Sequence, residues 1–262
     1  MIISLNGETA AEINMHDPDG IAFVKMTYKK TNPLDIDYMA RLYDCLVSLF
    51  SNEKVKVIIL SSGLRFAFCS GLDLPGALKF TESDLISQFI VQQYERFFEL
   101  LKLIVCSPKP IIAAINGVTI GVGVLLAAAC DCQICSELAW FQIPEMVIGG
   151  VFPVSLLMTQ IGRKNAQNMI FQNKKVSAAD AQNMGLIDTV AAHKDVGQEA
   201  LNLAVRLAQI DGFCLELQRR LIREQIVKLL ISENENMILY LKRVLRREPF
   251  VSNLHGLRDA NR

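Results

Sequence analysis

The sequence lacks an excess of charge of either sign: its 262 residues hold 27 Lys and Arg against 27 Asp and Glu. A chain without a field of one sign has no electrostatic means of gathering nucleic acid or an acidic membrane surface, so a small molecule is the expected partner. It also lacks an internal repeat and a linker, which leaves one large α/β domain or one domain with a helical extension. No basic segment precedes an apolar one near Met1, and Asp259-Ala-Asn-Arg262 is not a targeting tripeptide; a cytoplasmic or organelle-matrix location is expected. The cysteines (45, 69, 106, 130, 132, 135 and 214) are odd in number and sit mostly in apolar runs, as reduced core thiols do and a disulfide framework does not. Cys130, Cys132 and Cys135 lack a nearby fourth ligand, and on a strand 130 and 132 would face the side opposite to 135, so no metal site is expected.

Apolar residues, by contrast, make up 51% of the chain, and its mean hydropathy of +0.28 allows a large core and excludes disorder. The most telling run is Pro108 to Asp131, with no charge between Lys109 and Asp131. Its length suits a membrane span, and Gly117 and Gly121 have the spacing of helix pairing in lipid. Against that, Pro108 and Pro110 stand at its entrance, Asn116 and three glycines interrupt it, and an Ile-rich half precedes an Ala/Leu-rich half, as in a strand followed by a helix. A dinucleotide-binding turn at Gly121-Val-Gly123, with Glu145 as the ribose acid, is the other alternative. Leu126 at the third-glycine position and Glu145 in a loop-like stretch after Pro144 count against it.

Hydrophobic periodicity places a β opening over Ile2–Ile13, a turn at Asp17–Gly20 and a strand over Ile21–Thr27. Asp35 is positioned to cap a helix with Ile36, Met39, Tyr43, Leu46, Val47 and Phe50 on its apolar face. A buried strand at Val55–Leu60 follows, completing the alternation of a parallel sheet covered by helices. Thr81 and Asp84 suggest a capping box for a helix running to Val105, with Ile86, Phe89, Ile90, Phe97, Leu101 and Ile104 on its buried side; its aromatics, Phe89 and Phe97, pack in the core or line an acyl channel. Ile111–Ile115 is predicted as a strand leading, past Gly117, into a helix through Ala129. Cys132–Cys135 is a strand and Trp140–Phe141 is extended. Helices are predicted up to Gly162, over Lys164–Phe171, and over Ala178–Met184 with Ser177 as its cap and Gly185 as its stop. Ile187–Val190 is a last strand. From Val196 the period is helical, with Ile222, Ile226, Leu229 and Ile238 packing over the core or on another subunit.

Four motifs in this order carry a resemblance: Phe66-Ala-Phe-Cys-Ser-Gly-Leu-Asp-Leu74, Pro108-Lys-Pro-Ile-Ile-Ala-Ala-Ile-Asn-Gly117, Gly121-Val-Gly123 through Cys130-Asp131, and Phe141-x-x-Pro-Glu145. Together with Ser177-Ala-x-x-Ala181-x-x-x-Gly185, they resemble the crotonase, or enoyl-CoA hydratase/isomerase, superfamily over roughly Gly20 to Ala191. The resemblance implies a spiral of ββα repeats over residues 1–195 and a helical region over 196–262 used in homotrimers or hexamers. It implies an acyl-CoA thioester as ligand, coenzyme A being part of the substrate, and no separate cofactor. Carried over by position, the backbone amides of Leu72 and Val122 form an oxyanion hole. Gly121 and Gly123 flank Val122 and let the backbone approach a ligand closely. CoA contacts map to Lys30, Thr31, Asn32 and Leu34, and to Ser70, Asp73 and Leu74; a solvated loop charge is the alternative for Lys29 and Lys30. Pro75 stands where many hydratases have a lysine, and Val122 where glycine is frequent, so phosphate contacts and acyl-site width depart from the pattern. Asp131 is expected to be structural.

In the same resemblance, hydration uses two glutamates. One matches Glu145 and the other falls on Leu125, which can neither orient water nor exchange a proton. A lone carboxylate still suffices to move a proton between C4 and C2 of a dienolate, which is Δ3,Δ2-enoyl-CoA isomerisation. A dry, apolar pocket is expected to raise the pKa of Glu145 toward the range of such a base. Weak or altered hydratase activity is one alternative. The segment Gly149-Gly-Val-Phe-Pro153 resembles part of the 3-hydroxyisobutyryl-CoA hydrolase branch and gives thioester hydrolysis as another. A non-catalytic acyl-CoA-binding member is a third.

Overall fold

The computed structural model describes residues 2–5, 8–16, 19–80, 82–247, 250 and 252–253. Part of the expected Asp17–Gly20 turn, Thr81 and residues 259–262 lie outside them. The chain opens with two strands, β1 (Ile2–Leu5) and β2 (Glu8–His16), where one β segment was expected. These lead antiparallel into β3 (Ile21–Met26). Parallel pairing then continues through β4 (Val57–Ser62), β6 (Ile111–Ile115), β8 (Cys132–Ser136) and β11 (Thr189–Ala191), giving one sheet of order β1-β2-β3-β4-β6-β8-β11. A smaller sheet holds β5 (Ala67–Cys69), β7 (Val118–Ile120), β9 (Trp140–Gln142) and β10 (Val176–Ser177).

The pairs β4/β5, β6/β7 and β8/β9 each contribute one strand to each sheet, and helices follow each pair. These are α2 (Leu74–Ala77) with α3 (Ser83–Val105), then α4 (Val122–Ala128), then α5 (Ser155–Phe171). Each ββα unit therefore steps both sheets forward by one strand, which is a spiral. The strand β7 corrects the expectation that a helix begins directly past Gly117. That glycine is required because a Cβ there would overlap the Phe66 carbonyl, over which the chain turns from one sheet to the other.

Central strands buried on both faces read as continuous apolar runs, and Val57-Ile-Ile-Leu60 and Ile111-Ile-Ala-Ala-Ile115 do so. Ile58, Leu60, Ile111 and Ala113 face the main core with α1 (Ile36–Ser51) and α3. The alternate residues Val57, Ile59, Ile112 and Ala114 face Val196, Ala200 and Ala204 of α7 (Val196–Ala208). Asp35 does cap α1, accepting from the Tyr38 amide at 2.8 Å. The buried face of α1 is Tyr38, Met39, Leu42, Cys45, Leu46 and Leu49, so it is rotated from the expected one and leaves Val47 exposed. The cap of α3 is Glu82, which makes no side-chain cap bond. Gly162 interrupts α5 with φ of 72°, where two helices were predicted to meet. Ser177 caps α6 (Ala178–Asn183), and Gly185 stops it with φ of 85°.

The long α8 (Gly212–Leu245) is pinned at three levels. Arg219 forks onto Asp131 at 2.6 and 2.7 Å and donates to Ser107 O. Glu233 accepts from the Val154 and Ser155 amides that open α5. Ser87 Oγ of α3 donates to Leu245 O. Of the apolar positions expected to pack, Ile226 and Ile238 lie against the core, whereas Ile222 and Leu229 are exposed. All seven cysteines are free thiols; Cys45, Cys69, Cys130 and Cys135 are buried, Cys132 is half-buried, and Cys106 and Cys214 are exposed. No described helix is long and apolar enough to cross a membrane.

Candidate active site

Three neighbouring parallel strands, β5, β7 and β9, end at the same side of the smaller sheet. Ligands of parallel sheets collect outside the carboxyl ends of strands, where loops diverge. Here the chain leaves β5 through Ser70-Gly-Leu72, β7 through Gly121-Val122 and β9 through Ile143-Pro-Glu145. All three exits line one mostly apolar cavity of about 60 Å³, with Ile90 and Tyr94 of α3 and Leu241 of α8 as further walls.

Gly71 and Gly121 take positive φ, 86° and 57°. A Cβ on Gly71 would lie 2.9 Å from Ile120 O and 3.6 Å from Val122 N, so the two exits are packed backbone to backbone. Leu34 forms a parallel bridge with Leu72 in which Leu34 N donates to Gly71 O and Asp73 N donates to Leu34 O. That pattern leaves the Leu72 amide pointing away from the bridge. The Val122 amide is the first of α4 and has no carbonyl one turn back to bond. Neither amide meets an acceptor among the described residues.

Glu145 is held by its own loop, with Gly150 N donating to Glu145 O at 2.7 Å and Val147 N to Pro144 O at 2.9 Å. The residue is half-buried, but its carboxylate is enclosed, and Oε2 accepts no hydrogen bond from any described residue. Desolvation pushes its pKa up to about 8, against a smaller downward pull from its own backbone amide. Tyr94, buried in the same cavity, donates to Val151 O at 3.2 Å, and burial with the nearby Glu145 charge raises its pKa well above the phenolic value. Leu125 is 1% exposed in α4 and brings no acid to the cavity, whose described lining contains Glu145 as its one carboxylate.

The other residues singled out from sequence fall around one rim. Ser70 and Leu74 line the cavity. Thr31 accepts the Ser70 amide through its carbonyl, and the two hydroxyls lie 2.9 Å apart. Asp73 caps α2 at Gly76 N and pairs with Lys29 at 2.8 Å. Lys29 also reaches Asp35 at 3.1 Å, so it is a tie between two helix caps and not a solvated loop charge. Lys30 is exposed. Asn32 is fully buried; its side chain accepts from Tyr28 N and donates to Ser62 Oγ and Phe68 O, fastening the loop to the sheet. Leu34 is equally buried. Gly123 lets α4 pass Cys69, whose carbonyl would lie 2.6 Å from a Cβ there. Asp131 serves the Arg219 pair and also accepts from Ile111 N. Sequence reasoning did not single out Tyr94, although Ile86, Ile90 and Tyr94 recur at four-residue spacing on the buried face of α3.

A larger cavity, of about 630 Å³, lies between α5 and α8 and shares Gly150 with the smaller one. Its one carboxylate among the described lining, Glu233, is engaged with the amides of α5.

The chain matches the enoyl-CoA hydratase/isomerase family over residues 16–229 and belongs to it. It is similar to the mitochondrial enoyl-CoA hydratase domain-containing protein 2 of Bos taurus, 30% identical over 72% of this chain and 64% of that one. It is also similar to the peroxisomal Delta(3,5)-Delta(2,4)-dienoyl-CoA isomerase of Arabidopsis thaliana, 31% identical over 62% of each. The matched stretch thus spans less than two thirds of either relative. Human mitochondrial delta3-delta2-enoyl-CoA isomerase superposes with a TM-score of 0.88 at 19% identity, covering 96% of this chain and 98% of that one. Enoyl-CoA hydratase from Bacillus halodurans gives 0.86 at 20%, covering 95% and 100%. These two structures share the crotonase fold with the chain.

Proposed function

We propose that the chain is a Δ3,Δ2-enoyl-CoA isomerase with Glu145 as its single acid/base. The observation that carries the reading is a lone, enclosed carboxylate with an unpaired Oε2 and a pKa near 8, in a cavity with no second acid among its described walls. The thioester oxygen of a 3-enoyl-CoA accepts from the Leu72 and Val122 amides. Glu145 removes a proton from C2, the electron pair moves into a dienolate whose charge rests on that oxygen, and the same carboxyl returns the proton to C4. Preorganised donors at the site of developing charge contribute on the order of 3 kcal/mol each. Leu125 favours proton shuttling over hydration because two carboxylates no longer hold one water. The CoA moiety runs along Lys30, Thr31, Ser70, Asp73 and Leu74, with Asn32 and Leu34 holding that loop in shape. Residues 1–195 and 196–262 act as one unit, since Leu241 reaches the cavity. Exposed Leu221, Ile222 and Leu229 on α8 support assembly into trimers.

Incubation with 3-hexenoyl-CoA and with 2-hexenoyl-CoA in heavy-oxygen water tests the reading. Interconversion without label, abolished in Glu145→Gln, is expected. Labelled 3-hydroxyacyl-CoA would show hydration instead, free CoA would show hydrolysis, and binding without any product would show a non-catalytic protein.

A further inference from the structure

Two consecutive polar residues of α3, Gln93 and Tyr94, are 0% and 4% exposed among the buried Ile86, Ile90, Phe97 and Leu101 of the same helix. A buried polar side chain costs free energy unless it is bonded, so the partners of these two matter. Gln93 Nε2 donates to Asp73 O at 3.2 Å, and Tyr94 Oη donates to Val151 O at 3.2 Å. Neighbours on a helix diverge by about 100°, which lets the pair reach two different loops. Asp73 directly follows Leu72, and its amide already donates to Leu34 O at 3.1 Å, so the bond from Gln93 fixes both ends of that residue. Val151 directly follows Gly150, whose amide holds Glu145 O at 2.7 Å. Gln93 Oε1 is buried and has no hydrogen-bond partner among the described residues. Methionine would fill similar space without leaving an acceptor unpaired, so what glutamine adds here is the donor to Asp73 O. Tyr94 differs from phenylalanine only by the hydroxyl that reaches Val151 O.

We infer that Gln93 and Tyr94 are positioning residues: Gln93 holds the Leu72 amide toward the thioester oxygen, Tyr94 holds the loop of Glu145, and one turn of α3 thereby sets the distance between oxyanion hole and acid. The inference rests on the reading of the cavity as an acyl-CoA site. Neither side chain touches the reacting atoms; each acts through a backbone carbonyl.

Infrared difference spectra of hexanoyl-CoA labelled with heavy carbon at its carbonyl read the oxyanion hole without turnover. On binding to the parent chain, the C=O stretch should move to lower wavenumber. Gln93→Met should lose about half of that shift, since one of two donors is displaced, and lower kcat on 3-hexenoyl-CoA on the order of tenfold with little change in KM. Its urea midpoint should hold or rise, because the unpaired oxygen is gone; Gln93→Leu stands in where methionine unfolds the chain. Tyr94→Phe should keep the infrared shift but move the onset of the kcat/KM plateau below about 8, as a loosened loop lets water reach the carboxylate. The other titratable group in the described lining is Tyr94 itself. Phe97→Leu, on the same helix and outside the cavity lining, should lose stability and move neither readout. Folded Gln93 variants with the parental shift and kcat, or Tyr94→Phe with the parental pH profile, overturn the inference and leave acyl-CoA recognition intact. Phe97→Leu moving both readouts would likewise overturn it, reducing the pair to packing. A parent that leaves the bound carbonyl unshifted overturns the oxyanion hole and the inference with it. Where the parent shifts the carbonyl but does not isomerise, loss of the shift in Gln93→Met still supports the positioning role while the isomerase reading falls.

Discussion

Gly121 presses directly on Glu145: a methyl group in place of its α-hydrogen would overlap the carboxylate Oε1. The same glycine has φ of 57° and ψ of −131°, a region closed to side chains, and its amide donates to Gln142 O at 2.9 Å. One residue thus aims the Val122 amide, bounds the acid and anchors β9. Gly121→Ala should cost about 1–3 kcal/mol of stability and reduce kcat on the order of 100-fold by displacing the acid. A denaturant midpoint and steady-state rates on 3-hexenoyl-CoA check both parts. An alanine variant of full activity would show that this close approach does not position the acid.

The raised pKa of Glu145 fixes the sign of two pH effects. As a base it must be ionised in the free enzyme, so kcat/KM for 3-enoyl-CoA should rise with pH and level off above about 8. The unfolded chain ionises near the usual glutamate value, while the folded one holds the proton up to about 8. Between these values the native state binds more protons, and its stability falls as pH rises, by about 1.4 kcal/mol per unit at most. Glu145→Gln removes this dependence. The stability difference between parent and variant, followed by urea unfolding from pH 5 to 8, should therefore shift in favour of the variant. A constant difference would mean an ordinary, solvated carboxylate.

Much of this arrangement was legible in the sequence because it is local. Continuous apolar runs marked the central strands, Asp35 and Ser177 marked caps, and glycines marked the exits from β5 and β7. Strand β7 was missed because Val118-Thr-Ile120 is too short to show a period, and its partners are distant in sequence. The role of Lys29 was missed for a related reason: its two carboxylates, Asp35 and Asp73, come together only when the loop takes its left-handed turns at Lys29 and Asn32, with φ of 51° at each. Tyr94 and Phe250 were not singled out at all. Nothing in their spacing says that the core surface they cover is a cavity wall.

Arg219 and Asp131 form the firmest charged tie between α8 and the sheet. The guanidinium side chain is 7% exposed and the carboxylate 29%. Breaking such a pair leaves the partner charge uncompensated, while the Ile111 amide still serves Asp131. Arg219→Met should lower unfolding free energy by about 2–3 kcal/mol, and Arg219→Lys should recover less than half, since an ammonium cannot fork onto both oxygens. Urea unfolding at constant pH measures it; a methionine variant as stable as the parent would show that packing alone seats α8.

Glu233 does for α5 what a local N-cap ordinarily does. Val154 and Ser155, which open that helix, provide no side-chain cap, and the Glu233 carboxylate accepts their amides at 2.6 and 3.0 Å from α8. Burial raises its pKa, and the amide bonds oppose that rise. Glu233→Ala leaves two helix-opening amides without an acceptor and should cost about 1–2 kcal/mol. Glu233→Gln keeps a carbonyl oxygen in place and should cost clearly less. Because α8 carries Leu241 two turns further on, the alanine variant should also loosen the cavity wall, raising KM for a short 3-enoyl-CoA more than it lowers kcat. Equal losses in both variants would assign the stability to the charge and not to the cap, and an unchanged KM would separate the docking of α8 at α5 from the wall it forms over Glu145.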